Sequence, residues 1–209
     1  MKTVISVRKI EEIVEAQRFQ PDLIEIRTDL IEGTSLCPEH LPGQDNIPII
    51  VTCRSRTEGG RFTGTPAEWF ERVEPWLSHA RAIDLERNQK DFCSTMKAQG
   101  LDIIASCHCP RMLTRDEFSH LEGELRSMGT LPKIVVTPSS VKDVLILIDL
   151  TESAPKPICT GIQGKRFRFG RLLLPLAGSE LVYCHTGTPV AEGQYHIADF
   201  RTLFALLQG

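Results

Sequence analysis

The chain lacks long apolar runs, and it lacks a strong excess of charge of either sign. A membrane-spanning helix needs about 20 consecutive apolar residues, and no apolar run in these 209 residues approaches that length. The formal net charge is −3 and the pI is near 6.1, which argues against electrostatic binding of nucleic acid. We therefore predict no membrane partner and no nucleic-acid partner.

The cysteine pattern also lacks the features of a disulfide framework. The seven cysteines are an odd number, and four of them, Cys53, Cys107, Cys159 and Cys184, fall in predicted strands. Free thiols of this kind suit a reducing compartment better than a secreted protein. The N-terminal residues MKTVISVRKI reach charge too early for a secretory signal. The predicted location is therefore the cytoplasm.

What the chain does contain is an alternation of short β-branched runs and helical patterns. The predicted strands are TVISV, LIEIRTDL, PIIVTCR, RAIDLE, LDIIASCH, LPKIVVTP, KPICTGI and ELVYCHTG. Helical patterns separate most of them, and Thr65 followed by Pro66 is a typical helix start. Alternating units of this kind predict a parallel sheet with right-handed crossovers.

Eight such units favour closure into a (β/α)8 TIM barrel, a single compact α/β domain over residues 1–209. The usual size of this fold is about 250 residues, so the predicted barrel is a small one. A doubly wound open sheet is the alternative, but no glycine-rich dinucleotide fingerprint follows the first strand. Residues 30–47, rich in Gly, Pro and Ser, are predicted to be the least regular part.

Polar side chains collect at the carboxyl ends of the predicted strands, where barrel enzymes form their sites. His108 ends one strand and Lys133 lies among apolar residues of the next. A lysine held among apolar groups loses proton affinity and becomes a usable nucleophile. A solvated lysine and a satisfied core histidine would give the same pattern. The other polar residues predicted at this end are Glu25, Arg27, Arg54, Glu58, Asp84, Glu86, Arg171 and His185. Such a set suits a small, polar, anionic substrate.

Two shorter motifs suggest other chemistry. The CHC motif at 107–109, with Cys53 and His185, is similar to a zinc-binding set. Adjacent residues of a strand point to opposite faces, so the three residues cannot all face one ion, and we predict no metal site. The TGIQGK motif at 160–165 could cradle a phosphate, as late barrel loops often do. Its two glycines three residues apart leave that possibility open.

Seven segments, taken together, resemble one enzyme family along nearly the whole chain. They are EIRTDL, TCRSRTEGG, IDLE, IIASCH, LPKIVVTP, RLLLPLAGSELVYC, and EGQ followed by IADFRTLF. In this order and spacing they resemble the type I 3-dehydroquinate dehydratases, carbon–oxygen lyases of the shikimate pathway of aromatic amino-acid biosynthesis. The resemblance implies a (β/α)8 barrel, a homodimer, no metal or cofactor, and the small anionic carbocyclic substrate 3-dehydroquinate.

The resemblance also implies roles for three catalytic residues. Lys133, in LPKIVVTP, would form an imine with the C3 ketone of 3-dehydroquinate. His108, in IIASCH, would remove the C2 proton and later protonate the departing C1 hydroxyl. Glu58, in TEGG, would pair with the histidine and orient it. A positioned histidine contributes about 10²–10⁴-fold to such a reaction.

Five further residues match positions that contact substrate in the family. Glu25, Arg27 and Arg54 would line the hydroxyl side of the substrate ring. Arg171 would hold the substrate carboxylate, although counting forward from Gly164 selects Arg168 instead. Gln194 would belong to the loop that closes over the substrate.

Two departures from the family pattern stand out. The closing loop of the family usually reads SAPGQ, and here Val190 stands in place of the serine. Cys109 follows the histidine where the family prefers Asp or Asn.

Two other functions stay open at this point. A class I aldolase-type barrel also uses a lysine imine on its sixth strand, and it would need a phosphate site. A non-catalytic relative would bind a quinate-type ligand without turnover. The presence of Lys133, His108 and Glu58 together argues against that last reading.

Overall fold

Strands and helices alternate along the part of the chain that the structure, a computed structural model, describes: residues 1–31, 38 and 47–209. The strands are β1 Lys2–Val7, β2 Leu23–Arg27, β3 Ile49–Thr52, β4 Ala82–Glu86, β5 Asp102–Cys109, β6 Leu131–Val136, β7 Cys159–Ile162, β8 Leu181–His185 and β9 Tyr195–His196. The α-helices are α1 Ile10–Arg18, α2 Pro66–Leu77, α3 Cys93–Ala98, α4 Arg115–Met128, α5 Val141–Ser153, α6 Gly170–Leu173 and α7 Ile197–Gln208. Short 3-10 helices follow β2, β3 and β4 at Thr28–Leu30, Arg56–Glu58 and Arg87–Phe92.

The nine strands form one curled sheet in which every neighbouring pair is parallel. Their order is β7-β6-β5-β4-β3-β2-β1-β8-β9, so chain neighbours are sheet neighbours from β1 to β7. All eight predicted strands are present, and the (β/α)8 prediction is confirmed. The two-residue strand β9, which pairs with β8, was not predicted because two residues are too few to show an alternating pattern.

The start of α2 follows the capping rule that Thr65 and Pro66 suggested. The Thr65 hydroxyl accepts the backbone N–H of Glu68 at 3.3 Å, and the Glu68 carboxylate accepts the backbone N–H of Thr65 at 2.7 Å. The segment between β4 and β5 is the 3-10 helix Arg87–Phe92 followed by α3. Most of the irregular segment predicted at 30–47 lies outside the described residues. No helix within the described ranges is long and apolar enough to cross a membrane.

Apolar side chains form two layers. Together they leave the barrel interior at the carboxyl ends of the strands for polar groups. The larger layer lies between the sheet and the helices and includes Trp69, Leu125 and Phe200, all buried. The smaller layer consists of Val4, Ile50, Ala82, Ile104, Cys159 and Leu181. Side chains alternate between faces along a strand, so the residues two positions after Ala82 and Ile104 enter the same interior. Those residues are Asp84 and Ser106, which begin the polar end.

A serine side chain completes the barrel between β7 and β8. A single parallel bridge joins Ile158 and Ser179, where the Glu180 N–H donates to the Ile158 carbonyl at 2.8 Å. The Ser179 hydroxyl then replaces a backbone partner. It accepts the Thr160 N–H at 3.0 Å and donates to the Thr160 carbonyl at 3.1 Å. The seam is therefore held by one backbone hydrogen bond and by the Ser179 hydroxyl.

We expect Ser179→Ala to lower the free energy of unfolding by about 1–3 kcal/mol, because the buried Thr160 N–H loses its partner. Urea denaturation followed by circular dichroism measures the change. Ser127→Ala is the matched control, because that exposed hydroxyl bonds only the Glu124 carbonyl of its own helix. Equal effects of the two substitutions would show that the seam does not depend on the hydroxyl.

Candidate active site

A cavity at the carboxyl ends of the strands gathers most of the residues predicted for the site. Seven of the eight line it: Glu25, Arg27, Arg54, His108, Lys133, Arg171 and Gln194. The eighth, Glu58, hydrogen-bonds His108 from the 3-10 helix after β3. The register of β5 and β6 explains why the Lys133 amine and the His108 imidazole line the same cavity. Ser106 of β5 pairs with Lys133 of β6, and His108 lies two positions further along the same face.

The Asp84 carboxylate links three side chains below the cavity. Oδ2 accepts from Lys133 Nζ at 2.9 Å, while Oδ1 accepts from Arg54 at 2.9 Å and from the Ser106 hydroxyl at 2.5 Å. Burial alone would raise the pKa of Asp84, but the positive charges of Arg54 and Lys133 outweigh it and hold that pKa well below its usual range. Asp84 therefore stays a carboxylate.

Lys133 is buried among charged and aromatic groups rather than among apolar ones. Its residue surface is only 4% exposed, and Nζ lies 4.0 Å from the centroid of the Tyr183 ring as well as against Asp84. The expected apolar surroundings are therefore wrong, because the barrel brings Asp84 of β4 across to β6. The ion pair fixes the nitrogen at the cavity floor. An amine attacks a carbonyl only when neutral, so this nitrogen must first release a proton.

Arg54 lines the cavity, but carboxylates already surround its guanidinium. It donates to Asp84 and Glu86 at 2.9 Å each and to the Ser106 hydroxyl at 3.0 Å, and it lies 3.4 Å from Glu58. Burial would lower the pKa of Arg54, yet Asp84 and Glu86 raise it further above its ordinary value. Arg54 thus neutralises the buried carboxylates that support the site.

Glu58 holds His108 at two points. Its Oε2 accepts the His108 backbone N–H at 3.0 Å and lies 3.0 Å from Nδ1 of the ring. Both side chains are mostly buried, with exposed fractions of 12% for His108 and 15% for Glu58. The double contact fixes the position and the orientation of the imidazole. The sequence-based pairing of these two residues agrees with this geometry.

The glycines after Glu58 explain how the loop reaches His108. Gly59 has a φ of +85°, a left-handed value that favours glycine. A Cβ on Gly60 would lie 2.1 Å from the carbonyl oxygen of Arg54. The chain therefore folds back tightly over Arg54 only with glycine at this point, and the fold carries Glu58 toward β5.

The surroundings of Glu58 and His108 favour the uncharged form of both side chains. Burial raises the pKa of Glu58 to about 8; Arg54 partly offsets this and Glu86 adds to it. Burial, and then the positive charges of Arg54 and Lys133, lower the pKa of His108 well below its usual value. The ring is therefore neutral, and Glu58 decides its tautomer. A protonated Glu58 donates to Nδ1 and leaves hydrogen on Nε2, whereas an ionised Glu58 accepts from Nδ1–H and frees the Nε2 lone pair.

Glu25 and Arg27 reach the cavity from β2, and both have protein partners. Glu25 accepts from the hydroxyls of Ser6 at 2.6 Å and Thr52 at 2.8 Å. Arg27 makes two bonds of 2.9 Å to the two oxygens of Asp29. Their positions are therefore set before any ligand arrives, as substrate-positioning groups require.

Arg171 and Gln194 form the wall of the cavity nearest the predicted closing loop. The Gln194 side-chain carbonyl accepts the N–H groups of Val190 at 3.0 Å and Ala191 at 3.3 Å. Arg171 has no carboxylate partner within the described ranges; NH2 only approaches the Glu192 carbonyl at 3.5 Å. Burial lowers the pKa of Arg171 to about 10. A partly buried guanidinium without a counter-charge is suited to an anionic ligand.

Arg168, the alternative carboxylate ligand, is placed differently. Its guanidinium carbon lies 3.9 Å from the centroid of the Tyr195 ring, and Arg168 is not among the cavity-lining residues. This geometry favours Arg171 for the role.

Sequence reasoning missed three contributors to the site. Ser106 bonds Asp84 and Arg54, Asp84 pairs with Lys133, and Tyr183 covers the lysine nitrogen. Asp84 was placed at the correct end but given no role. The alternation of inward residues identifies Ser106, two before His108, and Tyr183, in the middle of β8, as candidates.

The zinc alternative finds no support where the structure describes the chain. No group of three His, Cys, Asp or Glu side chains there could hold a metal ion. Cys107 and Cys109 bring their Sγ atoms to 3.8 Å of each other, while the His108 ring between them contacts Glu58 in the other direction.

Comparisons with known proteins agree on one family. A family model for type I 3-dehydroquinase matches residues 4–209. A 3-dehydroquinate dehydratase of Methanoregula boonei is 40% identical over 208 residues, covering 99% of this chain and 100% of that protein. One of Methanospirillum hungatei is 35% identical and covers 99% of this chain and 81% of that protein. The crystal structure of 3-dehydroquinate dehydratase from Geobacillus kaustophilus has a TM-score of 0.87 at 23% identity, over 99% of this chain and 91% of that chain.

A buried amine and an imidazole–carboxylate pair lie around one barrel cavity, as in the active site of an enzyme. The cavity also holds a guanidinium that has no carboxylate partner among the described residues. The matches supply the family of the enzyme. The chain belongs to the type I 3-dehydroquinase family, whose members are lyases, and the resemblance inferred from the seven sequence segments is confirmed.

We expect the neutral His108 ring to change tautomer as Glu58 ionises, with a midpoint near pH 8. Below that pH the hydrogen is on Nε2, and above it on Nδ1. The ¹⁵N chemical shifts of the two ring nitrogens, followed across the pH range, report the change. In Glu58→Gln the side-chain carbonyl oxygen takes the place of Oε2, which faces both the His108 N–H and Nδ1. It accepts from Nδ1–H at every pH, so the hydrogen should stay on Nδ1. A ring that becomes a cation near neutral pH would contradict this assignment.

Proposed function

We propose that this protein converts 3-dehydroquinate to 3-dehydroshikimate and water through an imine on Lys133, as a step of the shikimate pathway. The observation that carries the proposal is the placement of Lys133 and His108 on neighbouring strands of one cavity, with Glu58 bonded to His108. The cavity also offers Arg171 for the carboxylate of the substrate. Family membership supports the choice of substrate.

Imine formation begins at Lys133. Nζ attacks the C3 carbonyl carbon of the substrate. In the net step the ammonium gives two of its protons to the carbonyl oxygen, which leaves as water. The nitrogen keeps one proton, a double bond to carbon and the positive charge. Because the ammonium and the iminium carry the same charge at the same nitrogen, Asp84 at 2.9 Å is a counter-ion for both. The charge at this nitrogen is therefore the same before and after the step, and Asp84 neutralises both states.

His108 then moves the protons of the elimination. The iminium draws electrons from the neighbouring C2–H bond, and Nε2 removes that proton when Glu58 is ionised and accepts Nδ1–H. The C–H electron pair forms the enamine double bond. The C1 hydroxyl next departs with the proton from Nε2, leaving water and a conjugated iminium. Hydrolysis of that iminium releases 3-dehydroshikimate and returns Lys133. A single histidine acts as base and then as acid.

The aldolase alternative has less support. A sugar-phosphate aldolase needs a phosphate site, and TGIQGK was the candidate loop. In this loop the Gly164 carbonyl oxygen packs against Gly193 of the closing loop, so closely that a Cβ on Gly193 would lie 2.3 Å from it. The Gln163 N–H of the loop also donates to the Val136 carbonyl at 2.9 Å, so it is not free to bind a phosphate. The buried Lys133 and the oriented His108 likewise favour turnover over a non-catalytic binding role.

We also propose a homodimer in the cytoplasm, as the family resemblance implies. The six cysteines in the described part of the chain are all free thiols, which fits a reducing compartment. Exposed leucines at the end of α7, including Leu206 at 76% exposure, provide apolar surface of the kind that subunits cover.

Lys133→Ala should abolish both imine formation and turnover, with the rate falling at least about 10³-fold. After addition of 3-dehydroquinate and sodium borohydride, the intact mass of the wild type should increase by one reduced adduct, which peptide mapping places on Lys133. Lys97→Ala, an exposed lysine on α3, is the control and should behave as the wild type. An unmodified wild-type mass would exclude the imine mechanism.

His108→Ala should still form the borohydride-trapped adduct but lower kcat by about 10²–10⁴-fold, because the proton transfers lose their base and acid. Single-turnover kinetics with mass spectrometry separates adduct formation from dehydration. His120→Ala on α4 is the control. Loss of the adduct in the His108 variant would assign this residue an earlier role, in imine formation itself.

A further inference from the structure

Tyr183 of β8 presents a buried hydroxyl that has no use in the free enzyme. The residue lines the cavity, and its ring face lies 4.0 Å from Lys133 Nζ, measured to the centroid. The hydroxyl is shielded from solvent, yet it has no hydrogen-bond partner within the described part of the chain. Buried polar groups in native proteins are nearly always paired, and each exception needs an explanation.

The position of the hydroxyl beside the reactive nitrogen supplies that explanation. Besides Tyr183, a second side-chain atom facing this cavity lacks a partner, Nε of Arg171. Two orphaned donors in one cavity are the complement of a ligand that carries oxygens at two points. Arg171 suits a carboxylate, and the neutral phenol suits an uncharged oxygen.

We propose that the Tyr183 hydroxyl donates a hydrogen bond to the substrate hydroxyl on C4, the ring carbon next to the imine carbon. This inference rests on the proposed dehydration of 3-dehydroquinate. Once C3 is bound to Nζ, the Tyr183 ring lies beside C3 and its hydroxyl reaches the neighbouring carbons. One neighbour, C2, is the carbon that loses a proton and carries no oxygen. The other, C4, carries a hydroxyl.

The surroundings of Tyr183 keep its hydroxyl a donor. Burial, followed by the negative charge of Glu25, raises the pKa of Tyr183 well above its ordinary value. The phenol therefore stays protonated. Glu25 itself is held by Ser6 and Thr52 and does not bond the phenol. The C4 hydroxyl can accept from Tyr183 while donating its own hydrogen to a carboxylate such as Glu25.

Tyr183→Phe tests the proposal because it keeps the ring over Lys133 and removes only the oxygen. We expect KM to rise about tenfold, the effect of one lost hydrogen bond, while kcat changes less than about threefold. The thermal midpoint of the free enzyme should stay unchanged or rise, because the removed hydroxyl has no partner there. A purely structural tyrosine would lower the midpoint and leave KM unchanged. Tyr195→Phe, outside the cavity lining, is the matched control and should change neither quantity.

A substrate analogue identifies the oxygen. The 4-deoxy analogue of 3-dehydroquinate should show about a tenfold higher KM with the wild type, and Tyr183→Phe should add no further loss for that analogue. Additive losses would place the Tyr183 bond elsewhere and overturn the proposal, as would an unchanged KM for 3-dehydroquinate in Tyr183→Phe. Borohydride trapping of the wild type distinguishes failure of the proposed function from failure of the inference about Tyr183. A wild type without an adduct rejects the proposed function, whereas a trapped, active wild type with an indifferent Tyr183→Phe rejects only this inference.

Discussion

The buried pairing of Asp84 with Arg54 on one side and Lys133 on the other is the interaction on which the polar end of the barrel depends. All three residues are at most 4% exposed, and an unpaired charge in such a place would cost several kcal/mol. Asp84 is the only counter-ion of Lys133 among the described residues. Arg54 in turn joins Asp84 to Glu86 and Glu58. The Lys133 amine and the Glu58 carboxylate beside His108 therefore belong to one connected network of charges.

In the free enzyme the side chains of this network are fixed by their partners, whereas some polar atoms at the cavity have none among the described residues. Glu25, Arg27 and Lys133 have good partners, so their geometry exists before a ligand binds. Arg171 and Tyr183 still have unpaired donor atoms at the cavity. These donors gain hydrogen bonds only when the substrate binds. A preorganised site usually stands in this relation to its ligand.

Strand-end reasoning places the main chemical groups of this site correctly because parallel strands in a barrel all end on one side. It brings His108 and Lys133 to one cavity without any knowledge of the family. It does not give the partner of Lys133, since the Asp84 contact joins strands two apart and depends on register and barrel curvature. For that reason the apolar surroundings inferred from local sequence are wrong.

Residue roles set by single contacts were still harder to predict. The choice between Arg171 and Arg168 depends on a turn of irregular backbone after β7, where no periodic pattern applies. The strand β9 is fixed by its pairing with β8 rather than by its own two residues. In both places tertiary contacts determine the structure, and local propensity carries little information.

The contact between Gly193 and the Gly164 carbonyl has a consequence for changes to either loop. Two loops from different parts of the chain meet there with no space for a single added carbon. A change of length in one loop would disturb this contact unless the other loop changed with it. Engineering that transplants a serine-bearing closing loop from a relative therefore has to transplant the loop after β7 with it.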